Sequence, residues 1–179
     1  MKGTMKTKVA VVGAGYWGKN LVRNFHELGA LGVICDADAA QEKTFKEKAP
    51  GVPFSRSYES VLADPAIHAV ALATPAVTHF DLARKALEAG KDVFVEKPLS
   101  VNVDDGRKLV DLAASKSRVL MVGHILRYHP AIHKLQQLIK GGELGQIQYL
   151  YSNRLNIGKI RTEENILWSF APHDISVML

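Results

Sequence analysis

The sequence predicts an α/β fold in which a parallel sheet carries helices on both faces. Short apolar runs alternate six times with segments of helical periodicity, and the connections between them are short. The first run, residues 8–12, is β-branched and ends in glycine, which is typical of a strand buried on both faces. Because crossovers between parallel strands are right-handed, this order predicts a doubly wound sheet.

Each predicted element has its own signal in the chain. Runs rich in valine, isoleucine and leucine predict strands at residues 8–12, 31–35, 52–54, 69–73, 92–95 and 119–122. Apolar residues at helical spacing predict helices at residues 16–28, 37–49, 58–63, 77–89 and 103–115. Glycine or proline stops several of these helices, as at Gly29, Pro50 and Gly90.

The pattern changes near residue 124. Residues 131–140 predict a helix, and the loose alternation of residues 146–153 predicts an exposed strand of the antiparallel kind. Apolar residues towards Leu179 predict a helix that begins near Asp174. We therefore expect one domain at 1–124 and the start of a second at 125–179. This second part cannot form a core alone, so it packs on the first domain or belongs to a longer protein.

Composition excludes several classes of protein. The 179 residues are 47% hydrophobic and 23% charged, as in ordinary globular proteins. The single cysteine, Cys35, excludes an internal disulfide and any metal site with two thiolates, and no His/Asp/Glu spacing suggests a metal. The net charge of +5 forms no basic stripe, which argues against a nucleic-acid partner. No apolar run is long enough to span a membrane, so we expect a cytoplasmic protein.

A glycine-rich turn, Gly13-Ala-Gly-Tyr-Trp-Gly18, follows the first predicted strand and opens a predicted helix. Gly13 suits the tight turn, Gly15 lets a pyrophosphate approach the backbone, and Gly18 allows close contact between helix and strand. The amides at the helix N-terminus favour a phosphate there. The turn thus predicts a Rossmann domain that binds a dinucleotide with these glycines, Tyr16 and Trp17, although flavin or S-adenosylmethionine would also suit it.

Asp36 lies 18 residues beyond Gly18, at the end of the second predicted strand, where an acidic side chain would accept hydrogen bonds from an adenosine ribose. A 2′-phosphate about 4 Å from this carboxylate would be repelled by roughly 1–4 kcal/mol. No arginine follows Asp36 to offset that repulsion. NAD is therefore the predicted cofactor, in preference to NADP.

Other strand ends supply further candidates. Thr74 and Pro75 follow the fourth predicted strand and are expected to line the cofactor cleft. His79 either faces the cofactor or only sits near the end of its helix. Glu96 and Lys97 follow the fifth predicted strand, before a proline that could hold a cis turn.

Two side chains are candidates for proton chemistry. Lys97, beside a cofactor ring, could donate to a substrate oxygen, although a solvated lysine before a turn is the simpler alternative. His173 has the side chain best suited to take a hydroxyl proton near neutral pH. A helix-capping or core role for His173 stays open, and Asp174 could either orient it or cap the last helix.

These motifs together resemble the Gfo/Idh/MocA family of sugar and polyol dehydrogenases. The resemblance rests on the glycine turn, Thr74-Pro75 with His79, the run from Ala89 through Glu96-Lys97-Pro98, and His173-Asp174. It implies a Rossmann domain followed by an α+β open-sheet domain, most of which is missing here. It also implies that Lys97 and His173 are catalytic, with Glu96 and Lys97 beside NAD. Many members carry an aspartate where this chain has Ser169.

A narrower likeness, to the UDP-N-acetylglucosaminuronate 3-dehydrogenases, rests on residues 126–130, 142–145 and 153–174. It implies oxidation of the 3-hydroxyl of a UDP-linked N-acetylated uronic acid in surface polysaccharide biosynthesis, by a protein that forms homo-oligomers at full length. A family dehydrogenase acting on a free sugar or inositol, and a non-catalytic NAD-binding module, stay open as alternatives. The implied substrate-binding residues are Arg127, Arg154, Asn156, Lys159, Arg161, Asn165, Trp168 and His173. Because the chain ends at Leu179, we expect it to bind NAD but to lack much of the substrate wall.

Overall fold

The computed structural model describes residues 7–155 and 165–179. The chain forms two compact units, unit 1 at Met1–Val122 and unit 2 at Gly123–Leu179.

Unit 1 contains one six-stranded parallel sheet with the strand order β3-β2-β1-β4-β5-β6. The strands are β1 (Val9–Val12), β2 (Leu31–Cys35), β3 (Phe54–Ser55), β4 (Ala69–Leu72), β5 (Asp92–Val95) and β6 (Leu120–Val122). The helices are α1 (Gly18–Glu27), α2 (Ala39–Lys48), α3 (Tyr58–Ala63), α4 (His79–Glu88) and α5 (Val103–Ser115). This topology confirms the predicted doubly wound α/β fold.

The core of unit 1 lies on both faces of the sheet. Every residue of β1 is buried, and its side chains alternate between two apolar clusters. Val9 and Val11 belong to the cluster that includes Val22 of α1 and Phe45 of α2. Ala10 and Val12 belong to the cluster formed with α3, α4 and α5. Because apolar clusters cover both faces of the sheet, every position of β1 is apolar in the sequence.

The predicted bounds within unit 1 agree with the structure to within a few residues. The predicted third strand is displaced to Phe54–Ser55. The predicted helix from residue 77 begins as a 3-10 turn, Ala76–Thr78, before α4. Such turns often precede an α-helix because the first amides have no partner inside it.

Unit 2 contains helices α6 (Pro130–Lys140) and α7 (Ile166–Met178) and a 3-10 turn at Ile125–Tyr128. The predicted strand at 146–153 was wrong, since this segment has no regular secondary structure. A strand needs a neighbour to pair with its backbone groups. Residues 123–155 and 165–179 provide none.

The start of the last helix also differs from the prediction. Helix α7 begins at Ile166, not near Asp174, because the side chain of Asn165 accepts a hydrogen bond from the Trp168 amide and caps the helix. Asp174 lies inside α7, so its predicted role as the N-cap was wrong. Pro172 also lies within this helix.

Candidate active site

The predicted cofactor residues of unit 1 lie at or near the carboxyl ends of four neighbouring strands, with Asp36 directly after β2. Gly13 follows β1, Thr74 lies just beyond β4, and Glu96 follows β5. The order of strands reverses between β1 and β4, and open parallel sheets bind ligands outside the carboxyl edge at such a point. The fold therefore gathers these residues at one edge of unit 1.

The glycine turn depends on two of its glycines for backbone reasons. Gly13 has a φ of +85°, and a Cβ there would lie 2.8 Å from the carbonyl carbon of Ala73. A Cβ on Gly18 would lie 1.7 Å from the carbonyl oxygen of Gly13. Both glycines are required for the close contact between β1, α1 and the loop after β4.

Gly15 differs from these two, because a Cβ built there meets nothing within 4 Å. Its lack of a side chain therefore keeps space open beside the backbone, and the protein itself does not fill that space. Helix α1 starts beside it, with Trp17 as an N-cap that makes no side-chain cap hydrogen bond and with no acidic residue in its described first turn. Free amides and a positive helix end suit a phosphate, so this turn fits a dinucleotide pyrophosphate.

The Asp36 carboxylate holds the glycine turn, a role that the sequence analysis missed. One oxygen accepts a hydrogen bond from the Ala14 amide at 2.6 Å, and the other accepts from the Asp38 amide at 2.9 Å. Each carboxylate oxygen has a second lone pair, so a ribose hydroxyl could still donate to it. Its position beside Ala14 fits the predicted ribose-binding role.

A hydrogen bond joins the glycine turn to the end of β5. The indole Nε1 of Trp17 donates to Oε1 of Glu96 at 2.7 Å. Glu96 is only 8% exposed, and burial raises the pKa of its carboxyl group, while the bond from Trp17 partly offsets that rise. The sequence placed both residues at the cofactor site, but no sequence signal indicates that they pair.

Lys97 follows Glu96 in a half-buried turn. The Lys97–Pro98 peptide bond is cis, which confirms the alternative that the sequence left open. Because Lys97 is partly buried, the structure disfavours the alternative of a fully solvated lysine.

His79, the first residue of α4, has a ring that is 1% exposed. Its Nδ1 lies 2.7 Å from the carbonyl oxygen of Pro98, and its Nε2 lies 2.9 Å from that of Thr74. Both ring nitrogens thus contact backbone oxygens inside unit 1. The ring therefore lies buried between the loops after β4 and β5. Its predicted role at the cofactor stays a prediction.

Several predicted substrate-binding residues of unit 2 have partners within that unit. Arg127 donates to the carbonyl oxygen of Ser176 at 3.0 Å. Arg154 makes two hydrogen bonds to Asp174, of 2.7 and 3.1 Å. A substrate anion would therefore compete with Asp174 for Arg154.

Other predicted residues of unit 2 lie on or beside α7. Asn165 caps this helix, and Trp168 and His173 are half-buried along it. The carboxylate of Asp174 also accepts a hydrogen bond from the Ser152 hydroxyl at 2.8 Å. Three further predicted substrate-binding residues lie outside the described residues: Asn156, Lys159 and Arg161.

Within residues 7–155 and 165–179, no group of three or more His, Cys, Asp or Glu side chains could hold a metal ion. Over the same residues, every helix is too short or too polar to traverse a bilayer.

Comparison with known proteins decides the family. The family model described as "Oxidoreductase family, NAD-binding Rossmann fold" (GFO_IDH_MocA) matches residues 7–124. The chain belongs to the Gfo/Idh/MocA oxidoreductase family. The family model describes an NAD-binding Rossmann fold, and the geometry around Gly15 fits that cofactor.

Two curated relatives match at the same identity but have different names. UDP-N-acetylglucosamine 3-dehydrogenase of Acidithiobacillus ferrooxidans is 29% identical over 175 residues, which are 96% of this chain and 53% of that protein. Inositol 2-dehydrogenase of Corynebacterium glutamicum is 29% identical over 177 residues, which are 96% of this chain and 52% of that protein. The chain thus spans about half the length of these relatives.

Solved structures show the same fold. An NAD-binding protein from Listeria innocua superposes with a TM-score of 0.73 at 29% identity, covering 79% of this chain and 42% of that one. The structure of the Acidithiobacillus ferrooxidans UDP-N-acetylglucosamine 3-dehydrogenase gives a TM-score of 0.67 at 29% identity, covering 73% and 41%.

Proposed function

We propose that this chain supplies the cofactor-binding part of an NAD-dependent dehydrogenase that oxidises the 3-hydroxyl of a UDP-linked N-acetylated uronic acid. The observation that carries the proposal is the open space beside Gly15, at the same sheet edge as the Lys97 turn. The relative named UDP-N-acetylglucosamine 3-dehydrogenase supports the choice of a nucleotide-sugar substrate. The oxidised sugar would then enter surface polysaccharide biosynthesis. The enzyme itself would be a homo-oligomer in the cytoplasm.

The residues of the glycine turn would hold the pyrophosphate, and Asp36 would hold the adenosine ribose. When bound, NAD supplies the acceptor for the hydride that leaves the substrate carbon. The Asp36 carboxylate disfavours a 2′-phosphate by roughly 1–4 kcal/mol at about 4 Å. We therefore expect this chain to bind NAD more tightly than NADP, although one relative is named D-xylose 1-dehydrogenase (NADP(+)).

The proton chemistry is assigned to His173 and Lys97. His173 is proposed to accept the hydroxyl proton on an imidazole nitrogen. Lys97 is proposed to donate a hydrogen bond from its amine to the reacting oxygen and to stabilise its developing negative charge. A positioned base contributes about 10²–10⁴-fold in rate, roughly 3–5 kcal/mol. Arg154 is assigned to the substrate anion, in competition with Asp174.

Lys97→Ala tests the assignment. We expect NADH formation to fall by about 10²-fold or more, because the hydrogen bond to the reacting oxygen is lost. The affinity for NAD, measured by calorimetry, should change little, since the turn at Gly15 is intact. Lys46→Ala, an exposed lysine of α2, is the control. Full turnover in Lys97→Ala would refute the assigned role.

The inositol 2-dehydrogenase relatives favour a second candidate, oxidation of a free polyol. A panel of UDP-linked uronic acids, UDP-N-acetylglucosamine, free sugars and inositols separates the two candidates by NADH absorbance. We expect the UDP-linked uronic acid to give the highest kcat/KM. Activity on inositol alone would replace the nucleotide sugar. NAD binding without reduction of any substrate would instead favour a non-catalytic NAD-binding module.

A further inference from the structure

His79 is the most deeply buried ionisable side chain described in unit 1, with 1% of its surface exposed. A buried polar ring is costly unless its nitrogens are hydrogen-bonded. Here both nitrogens face oxygens, those of Pro98 at 2.7 Å and Thr74 at 2.9 Å. The ring therefore makes two specific contacts within an otherwise apolar core.

Both neighbours of the ring are backbone carbonyl oxygens, which can only accept hydrogen bonds. A ring nitrogen satisfies such an oxygen only when it carries hydrogen, and the neutral ring carries hydrogen on one nitrogen. Replacing His79 with a side chain that donates to one oxygen at a time can therefore show which contact matters.

The two oxygens belong to loops that serve different parts of the candidate site. Pro98 directly follows Lys97 after β5. Thr74 lies in the loop after β4, and its methyl carbon lies 2.9 Å from the place that a Cβ on Gly13 would take. One ring thus links the loop that contacts the glycine turn to the loop that carries Lys97.

We propose that His79 is a positioning residue that sets the place of the Lys97 amine relative to the glycine turn, through the carbonyl oxygen of Pro98. The inference rests on the proposed role of Lys97 but makes a separate structural claim. A displacement of about 1 Å in a reacting group can cost about 10²-fold in rate, so the ring acts on turnover without touching the reacting atoms.

The test uses three variants of the 179-residue chain, with its lysines carrying ¹³C-methyl groups. His79→Asn places an amide nitrogen near the position of Nδ1 and can still donate to Pro98. His79→Gln places one near Nε2 and can still donate to Thr74. His79→Phe keeps a ring but donates to neither. His26→Asn, an exposed histidine of α1, is the matched control.

The primary measurement is the NMR signal of the methylated Lys97 amine, assigned with Lys97→Arg. We expect His79→Phe and His79→Gln to shift this signal away from its wild-type position. In His79→Asn the signal should stay close to that position. Where His79→Phe does not fold, as judged by its melting transition, the comparison of Asn with Gln decides. A Lys97 signal that is the same in all folded variants, or that moves equally in Asn and Gln, overturns the proposal.

Turnover separates this inference from the function of Lys97 itself. The assay uses the substrate that gives the highest kcat/KM. We expect His79→Gln to lower kcat by about 10²-fold with little change in the KM for NAD. His79→Asn should keep most of the wild-type kcat. If Lys97→Ala keeps full turnover, the catalytic role of Lys97 is lost, yet the NMR signal still decides whether His79 positions the amine.

Discussion

Unit 1 and unit 2 are stabilised by different interactions. In unit 1 the strands are covered on both faces, and large side chains such as Leu72, Leu87 and Leu109 are completely buried. In unit 2 no residue of α6 is buried. Its described side-chain hydrogen bonds include those of Arg127 to the Ser176 carbonyl and of Arg154 to Asp174. Apolar burial is the larger source of stability in proteins, so unit 1 should be the more stable of the two.

Exposed apolar side chains sharpen the contrast. In unit 2 the segment at 147–155, which has no regular secondary structure, leaves Tyr149 at 83%, Tyr151 at 78% and Leu155 at 86% exposure. The chain also spans about half the length of its curated relatives. The difference teaches that a hydrophobic pattern predicts structure reliably where the same unit covers the apolar side chains, as in unit 1.

The largest expected effect is from Leu109→Ala in α5. This side chain is completely buried, so its removal should lower the free energy of unfolding of unit 1 by about 2–5 kcal/mol. Leu135→Ala in α6, at 36% exposure, should cost unit 2 less than about 1 kcal/mol. Urea unfolding measures both changes, with Trp17 reporting on unit 1 and Trp168 on unit 2.

Single-tryptophan variants keep these two signals separate. Trp168→Phe leaves the probe of unit 1, and Trp17→Phe leaves that of unit 2. Equal losses in Leu109→Ala and Leu135→Ala would contradict the comparison, because they would mean that α6 contributes as much buried surface as α5.

The next effect comes from the glycine turn, where two substitutions of the same kind should differ. Gly18→Ala forces a Cβ towards a backbone oxygen that cannot move aside. It should lower the free energy of unfolding by about 1–3 kcal/mol, and it should also weaken NAD binding. Gly15→Ala should leave the melting temperature unchanged or slightly raised. It should still weaken NAD binding by about tenfold or more, because the methyl group fills the space for the pyrophosphate.

Calorimetric titration with NAD and thermal unfolding distinguish the two glycines. If Gly15→Ala binds NAD as tightly as wild type, the open space beside Gly15 is not the phosphate site. If it unfolds as readily as Gly18→Ala, the turn serves the fold alone.

The sequence predicted unit 1 well because its signals are local. The predicted bounds of β2, β5, α3 and α5 agree with the structure, since helices of the same unit cover both faces of the sheet. The glycine turn and Asp36 could be recognised from spacing alone. The strand at 146–153 could not be predicted correctly, because its alternation says nothing about whether a pairing partner is present.

The contacts within the site were also beyond sequence reasoning. The bond between Trp17 and Glu96 joins residues 79 positions apart, and its existence depends on how β1 and β5 are placed in the sheet. The two contacts of the His79 ring depend in the same way on the neighbouring loops after β4 and β5. No periodicity or motif encodes such pairings, because they arise only when the strands are in register.

A smaller effect should come from Glu96, whose pKa is raised above its ordinary value of 4.5 by burial. The folded state favours the protonated carboxyl, so this group stabilises unit 1 below about pH 4.5, and the contribution is lost as pH rises through the folded pKa. Glu96→Gln cannot ionise and keeps an oxygen for the Trp17 indole. We expect it to raise the melting temperature at pH 7 and to match wild type at pH 4.

Glu47→Gln, an exposed residue of α2, is the control and should change little across this range. A melting temperature of Glu96→Gln below that of wild type at pH 7 would show that the charged carboxylate stabilises the site, through the Trp17 bond, more than burial disfavours it.

The smallest effect is expected from the ion pair of unit 2. Hydrogen bonds from Arg154 and Ser152 lower the pKa of the Asp174 carboxyl below its ordinary 3.8, so the pair stabilises unit 2 above about pH 3.8 and the contribution is lost as pH falls through the folded pKa. Both side chains remain partly exposed, at 30% and 23%, and such pairs contribute less than about 1 kcal/mol. Arg154→Met should therefore shift the Trp168 unfolding transition only slightly at pH 7, and by less as pH falls through the folded pKa of Asp174. A loss as large as that of Leu109→Ala would reverse the comparison, because polar contacts alone would then hold unit 2 as firmly as the apolar core holds unit 1.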